Sequence, residues 1–153
     1  MIAFWPVGIS ESNRGGFVRQ AAYLQDVMPT VIELSDGSYP TSEQIWPCLG
    51  KSIAPLFDDS SQPIHDEMLF WEHEGNAAVR DGKWKLVREY KKSWELYDIT
   101  NDRTELNDLS QAEPERRERM ILSWERWAKE NEVAYPERFN MYEFLKRKTS
   151  KGN

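Results

Sequence analysis

Residues 68–89 read MLFWEHEGNAAVRDGKWKLVRE, and this stretch decides the fold. Met68-Leu69-Phe70-Trp71 and Ala77-Ala78-Val79-Arg80 are strand-like runs. Asp81-Gly82 supplies a hairpin turn, because aspartate and glycine accept the left-handed backbone that tight hairpins require. Beyond the turn, Trp84, Leu86 and Arg88 alternate with Lys85, Val87 and Glu89, the period-2 pattern of a strand with one buried face. Trp94-Glu95-Leu96-Tyr97-Asp98-Ile99 adds a further strand, with Trp94, Leu96 and Ile99 turned inward. An antiparallel sheet follows from these four runs and their short connections.

The sheet needs a cover, and the sequence provides one downstream. Met120, Ile121, Trp124, Trp127 and Ala128 fall at helical spacing on one face, while Arg116, Arg117, Glu118, Arg119, Glu125 and Arg126 fill the rest. A helix near 112–131 with such a stripe packs on the sheet. Lys146-Arg147-Lys148 through Asn153 reads as a solvated tail.

Upstream the chain changes character. Residues 1–60 hold 3 basic and 7 acidic groups, whereas the remainder is densely charged. Asp58-Asp59-Ser60-Ser61-Gln62-Pro63 reads as the connector between the two parts. Met1-Ile2-Ala3-Phe4-Trp5 before Pro6 resembles an inner strand of a parallel sheet. Asp26 before Val27-Met28-Pro29-Thr30-Val31-Ile32-Glu33-Leu34 is read as the N-cap of a helix that ends before Gly37. Ser52 before Ile53-Ala54-Pro55-Leu56-Phe57 repeats the pattern over a shorter helix.

Composition removes several classes of function. Of 153 residues, 39% are hydrophobic and 30% charged, with 7 Trp, so the chain can build a core. Mean hydropathy is −0.75, and no apolar run approaches the about 20 residues that cross a bilayer; no membrane partner is expected. A net charge of −6 offers nothing to a phosphate backbone, so no nucleic-acid partner is expected. The single Cys48 can neither pair internally nor complete a structural zinc site.

Motifs with chemical potential are few. Gly50-Lys51-Ser52 lacks the upstream glycine of a phosphate-binding loop, since Ile45 stands there. Cys48 has no histidine near it in sequence and reads as a structural thiol. Asp58-Asp59 reads as solvated rather than metal-binding. Most of the tryptophans occupy positions that point into a core. Trp71-Glu72-His73-Glu74-Gly75-Asn76 differs, because it concentrates a histidine, two carboxylates, a glycine and an amide between strands, where a loop can turn polar groups toward a ligand. A solvated surface turn is the competing reading.

Leu69 to Asn76, Ala78 to Val87, Trp94-Glu95-Leu96-Tyr97-Asp98 and Asp102-Arg103-Thr104-Glu105-Leu106-Asn107-Asp108-Leu109 follow in an order that resembles the C-terminal region of type I sulfatases, the arylsulfatase branch in particular. Ile2 to Ile9, Asp26-Val27-Met28-Pro29-Thr30 and Gly50 to Leu56 resemble the last segments of that family's large α/β domain. The resemblance spans residues 1 to about 139. It implies an α+β chain: the end of an alkaline-phosphatase-like α/β sulfatase domain (residues 1–57), an antiparallel sheet packed against a C-terminal helix (58–140), and a tail (141–153).

The resemblance also implies a chemistry. Members hydrolyse sulfate monoesters to an alcohol or phenol plus sulfate, using a formylglycine made from a C/S-x-P/A-x-R motif and a calcium ion. In the family pattern these groups precede the segment corresponding to Met1, so no catalytic residue and no metal ligand is expected here, and the fragment by itself is expected to be inactive. Cys48-Leu49-Gly50-Lys51-Ser52 has glycine and serine where the motif needs Pro or Ala and Arg. His73 and Asn76 are the candidate substrate-binding residues, with a sulfated small molecule or carbohydrate as partner. Ala77 stands where relatives often have arginine, and Tyr23 where many have histidine. Self-association through the truncated edge is expected, and many members of the family are periplasmic or secreted. The competing readings are a non-catalytic carbohydrate-binding or interaction module and a fragment of a related phosphoester hydrolase.

Overall fold

The computed structural model describes residues 16–43 and 45–134, which fall into two compact units dividing between Asp66 and Glu67. The expected strand at Met1 to Trp5 and the expected tail lie outside the described residues.

The second unit is built on four antiparallel strands in sequential order: β1 (Leu69–His73), β2 (Asn76–Asp81), β3 (Trp84–Arg88) and β4 (Glu95–Asp98). The register sets Phe70 against Val79 and Val79 against Leu86, and in turn Leu86 against Leu96. That row forms one face, and Val79, Leu86 and Leu96 are fully buried in it. Trp94 sits just before β4 and, like Trp84, packs against this core. Ile99 is half-buried beyond the strand.

The cover is α3 (Pro114–Glu130), which begins on a proline whose missing N–H costs nothing at a first helical position. Met120, Trp124 and Ala128 are buried against the sheet, and Ile121 and Trp127 flank them. Trp127 stacks on Phe70 at 5.4 Å between ring centroids, and Trp124 meets Trp94 edge-on at 5.5 Å. The Arg88 guanidinium lies 4.5 Å from the Trp94 ring centroid and 5.1 Å from that of Trp124, so a charged strand residue serves the core through ring faces. The α+β architecture of an antiparallel sheet with a C-terminal helix is thus present as the sequence implies.

In the first unit a 3-10 turn (Leu24–Asp26) runs into α1 (Val27–Leu34), and a later short helix is α2 (Pro55–Asp58). Two capping expectations are corrected. Asp26 does stand at the N-cap position of α1, but its carboxylate makes no bond to the helix amides; tertiary donors claim it instead. Ser52 does not cap α2, whose N-cap is Ala54. The Ser52 hydroxyl accepts the Ala54 N–H at 3.1 Å, forming a local turn that places Pro55 at the helix start.

The faces of α1 are inverted relative to an ordinary amphipathic helix. Leu24, Val27, Met28, Val31 and Leu34, spaced three or four apart, are all exposed, while Thr30 and the preceding Asp26 are buried.

Candidate functional site

The segment expected to be a loop at Trp71 to Asn76 is a tight hairpin. β1 continues through His73 and β2 begins at Asn76, leaving only Glu74 and Gly75 between them. Both have positive φ, 51° and 85°, as a two-residue turn matched to strand twist requires. A Cβ on Gly75 would sit 2.5 Å from Cδ2 of Tyr90, so any side chain here would force the Tyr90 ring to move. Short connection, backbone sterics and side-chain bonds act together here, and a longer loop has no role.

Three hydrogen bonds fix the turn. The Gly75 N–H donates to Oε1 of Glu72 at 2.6 Å, and Nδ2 of Asn76 donates to the His73 carbonyl at 2.9 Å. Oδ1 of Asn76 accepts the Tyr90 N–H at 2.9 Å, which ties the hairpin to the segment after β3. His73 and Asn76, the two residues singled out in the sequence, are therefore paired across the strands. His73 is exposed, whereas Asn76 is half-buried and uses one donor and its acceptor oxygen to hold the turn.

The faces of the sheet follow from the pleat. Phe70 and Val79 point to α3, so Trp71, His73, Ala78 and Arg80 present the opposite face. Trp71 is 38% exposed, and Trp46 in the first unit is 88% exposed. These two depart from the expectation that tryptophans fill the core.

A second polar cluster, in the first unit, joins residues that no local sequence pattern links. The Asp26 carboxylate is fully buried. Its Oδ2 accepts from the Tyr23 N–H at 2.6 Å and from Nε2 of His65 at 2.9 Å, and its Oδ1 accepts from the Lys51 N–H at 2.8 Å. Thr30 extends the network: its hydroxyl donates to the Asp26 carbonyl at 2.6 Å and accepts the Ile53 N–H at 2.9 Å. The Tyr23 ring meets the His65 ring edge-on at 5.5 Å. Close backbone approach is part of the design, since a Cβ on Gly50 would lie 2.1 Å from the Gln25 carbonyl oxygen. The carboxylate orients the imidazole, with the proton on Nε2, and its oxygens are committed to the fold.

Calcium does not fit the described residues. Among them no three His, Cys, Asp or Glu side chains converge as metal ligands. Asp26 accepts from three N–H donors, and Asp59 accepts from Ser61 and Gln62. Cys48 is a half-buried free thiol.

No protein-family model matches the chain. Over 114 residues, covering 66% of the chain, it is 28% identical to the uncharacterized sulfatase PB10D8.02c of Schizosaccharomyces pombe, and it spans only 20% of that protein. Among solved structures, Ps i-CgsB superposes with a TM-score of 0.57 at 23% identity, over 83% of this chain and 28% of its own. The same protein has been seen in complex with k-i-k-neocarrahexaose. BT4656, solved with its substrate D-glucosamine-2-N,6-O-disulfate, superposes with a TM-score of 0.54 at 18% identity, over 75% of this chain and 25% of its own.

Proposed function

We propose, on the premise that this chain is the C-terminal region of a sulfatase in sequence and fold, that it completes the catalytic unit of an arylsulfatase-like sulfuric ester hydrolase. In this reading the parent protein hydrolyses a sulfate monoester to an alcohol or phenol and inorganic sulfate. The first unit closes the α/β layer, and the sheet of the second unit supplies part of the substrate pocket. The substrate is a sulfated carbohydrate, the class bound by BT4656.

The observation that carries this reading is the inverted helix α1. An apolar stripe from Leu24 to Leu34 faces outward, above a buried Asp26 and Thr30, and supports reading α1 as an inner element of a larger layered domain. The nucleophile and the cation come from outside the described residues in this reading, and the chain's own residues do other work. His73 hydrogen-bonds the leaving-group portion of the substrate. Asn76 holds the turn that aims His73 and offers its second N–H to the same ligand.

Incubating the purified chain with a chromogenic aryl sulfate and calcium tests the division of labour. No turnover above a heat-killed control is expected. Turnover that survives repurification would overturn the reading.

A further inference from the structure

We infer that Tyr90 is the positioning residue for His73: its ring and its backbone fix the β1–β2 turn, and through that turn they aim the exposed imidazole. The inference rests on the proposed contact between His73 and the substrate, and names the residue that sets its geometry.

His73 ends β1, at the edge of the sheet, and is exposed. Its carbonyl accepts from Asn76, but among the described residues no hydrogen bond holds its imidazole. The ring is therefore open to a ligand, and its place is inherited from the backbone that carries it. A side chain aimed only by its backbone is as precise as the turn beneath it.

That turn is held from outside the hairpin by Tyr90. Carried two positions past the Ala77–Arg88 pair, the β2–β3 register sets Gly75 opposite Tyr90. The contact agrees, since a Cβ on Gly75 would fall within 3.1 Å of Cγ, Cδ2 and Cε2 of the tyrosine. An aromatic ring laid across a glycine replaces the packing that the missing side chain cannot give. The Tyr90 N–H adds a second tie, donating to Oδ1 of Asn76 while Nδ2 of the same amide donates to the His73 carbonyl. One amide side chain thus links Tyr90 to His73 across β2.

Tyr90 is itself anchored. The Lys92 N–H donates to the Glu89 carbonyl at 2.9 Å and closes a turn around Tyr90 and Lys91, with Lys91 in the left-handed region at φ 63°. The Lys91 ammonium lies 4.9 Å from the Tyr90 ring centroid. Both ends of the link are therefore tight turns, and the imidazole sits on the far side of one of them.

The test uses the isotopically labelled full chain and locates the His73 ring by NMR, from its ring signals and their NOEs to neighbouring residues. The chain has two histidines, and His65, held by Asp26 in the first unit, is the internal reference. Tyr90→Ala should displace the His73 ring, leave His65 unchanged and speed exchange of the Gly75 amide by about tenfold. Tyr90→Phe keeps the ring carbons and the N–H, and should restore both readouts. Gly82→Ala, at the other hairpin, lowers stability without touching this turn and should leave the His73 ring in place. Gly75→Ala should displace it, and by less in the Tyr90→Ala background, where the collision is gone. Amide spectra report whether the sheet is intact; should Tyr90→Ala unfold it, Tyr90→Leu replaces that variant with the same displacement expected. An unmoved His73 ring on loss of the aromatic side chain, a Tyr90→Phe variant that fails to restore it, or an equal displacement in Gly82→Ala would overturn the assignment. None of these outcomes depends on aryl sulfate turnover, on which the proposed function is judged separately.

Discussion

His65 donates from Nε2 to Oδ2 of Asp26 at 2.9 Å, with both side chains removed from solvent. The pair joins positions 39 residues apart, and the same carboxylate takes the Lys51 amide. Asp26→Ala leaves the buried His65 imidazole and two backbone N–H groups without their acceptor and should cost about 3 kcal/mol by chemical denaturation. His65→Ala should cost less, and the double-mutant cycle should show coupling of about 1–3 kcal/mol. Strictly additive effects would mean that the contact contributes nothing.

The two hairpin glycines should respond unequally to alanine. Gly82 has φ 56° but open space around a new Cβ, so Gly82→Ala carries only backbone strain, about 1–2 kcal/mol. Gly75→Ala adds a collision with the Tyr90 ring at 2.5 Å and should destabilise more. Thermal unfolding of the two variants side by side decides it; equal losses would contradict the packing of Tyr90 over the turn.

Burial, then the hydrogen bond and charge of Glu95 with Asp108 and Glu105 nearby, pushes the Tyr97 phenol up to about 12. The folded state therefore holds its proton where the unfolded chain has lost it. Stability conferred by Tyr97 is complete below the ordinary tyrosine value near 10 and falls as pH rises toward 12. Tyr97→Phe should flatten the loss of stability across that window in denaturant titrations at stepped pH. An unchanged slope would show that Tyr97 is not the group responsible.

Self-association of the isolated chain through α1 is a further expectation. Met28 and Val31 lie on the exposed stripe, so Met28→Lys with Val31→Glu should shift sedimentation toward monomer. Unfolding free energy should change by no more than about 0.5 kcal/mol per substitution. An oligomeric state unaffected by these changes would place any association elsewhere.

Much of the second unit was legible in the sequence because local and tertiary forces agree there. Val79, Leu86 and Leu96 announce a buried face by alternation, and Met120, Trp124 and Ala128 announce a helix by spacing. The polar neighbours of the Glu74-Gly75 turn suggest a longer exposed loop in the sequence, although Glu72 and Asn76 use their side chains to tighten it. Asp26 carries the local signal of a cap, an acid before an apolar run. Its real donors, His65 and Lys51, are remote in sequence, and no local pattern encodes them. The small Gly50, which admits the Gln25 backbone, was the one available hint. Trp71 shows the converse failure, since an aromatic residue in a strand reads as core whichever face it occupies.

The central claim is that this chain completes a sulfatase, and a replacement experiment tests it most directly. The segment of the Schizosaccharomyces pombe sulfatase that matches this chain would be exchanged for it, and aryl sulfate hydrolysis measured alongside the chain alone and the relative lacking the segment. The account predicts turnover in the chimera and none in either part, with His73→Ala lowering kcat/KM for a sulfated sugar far more than for a small aryl sulfate. A folded chimera without activity, or activity in the relative lacking the segment equal to that of the chimera, would contradict it.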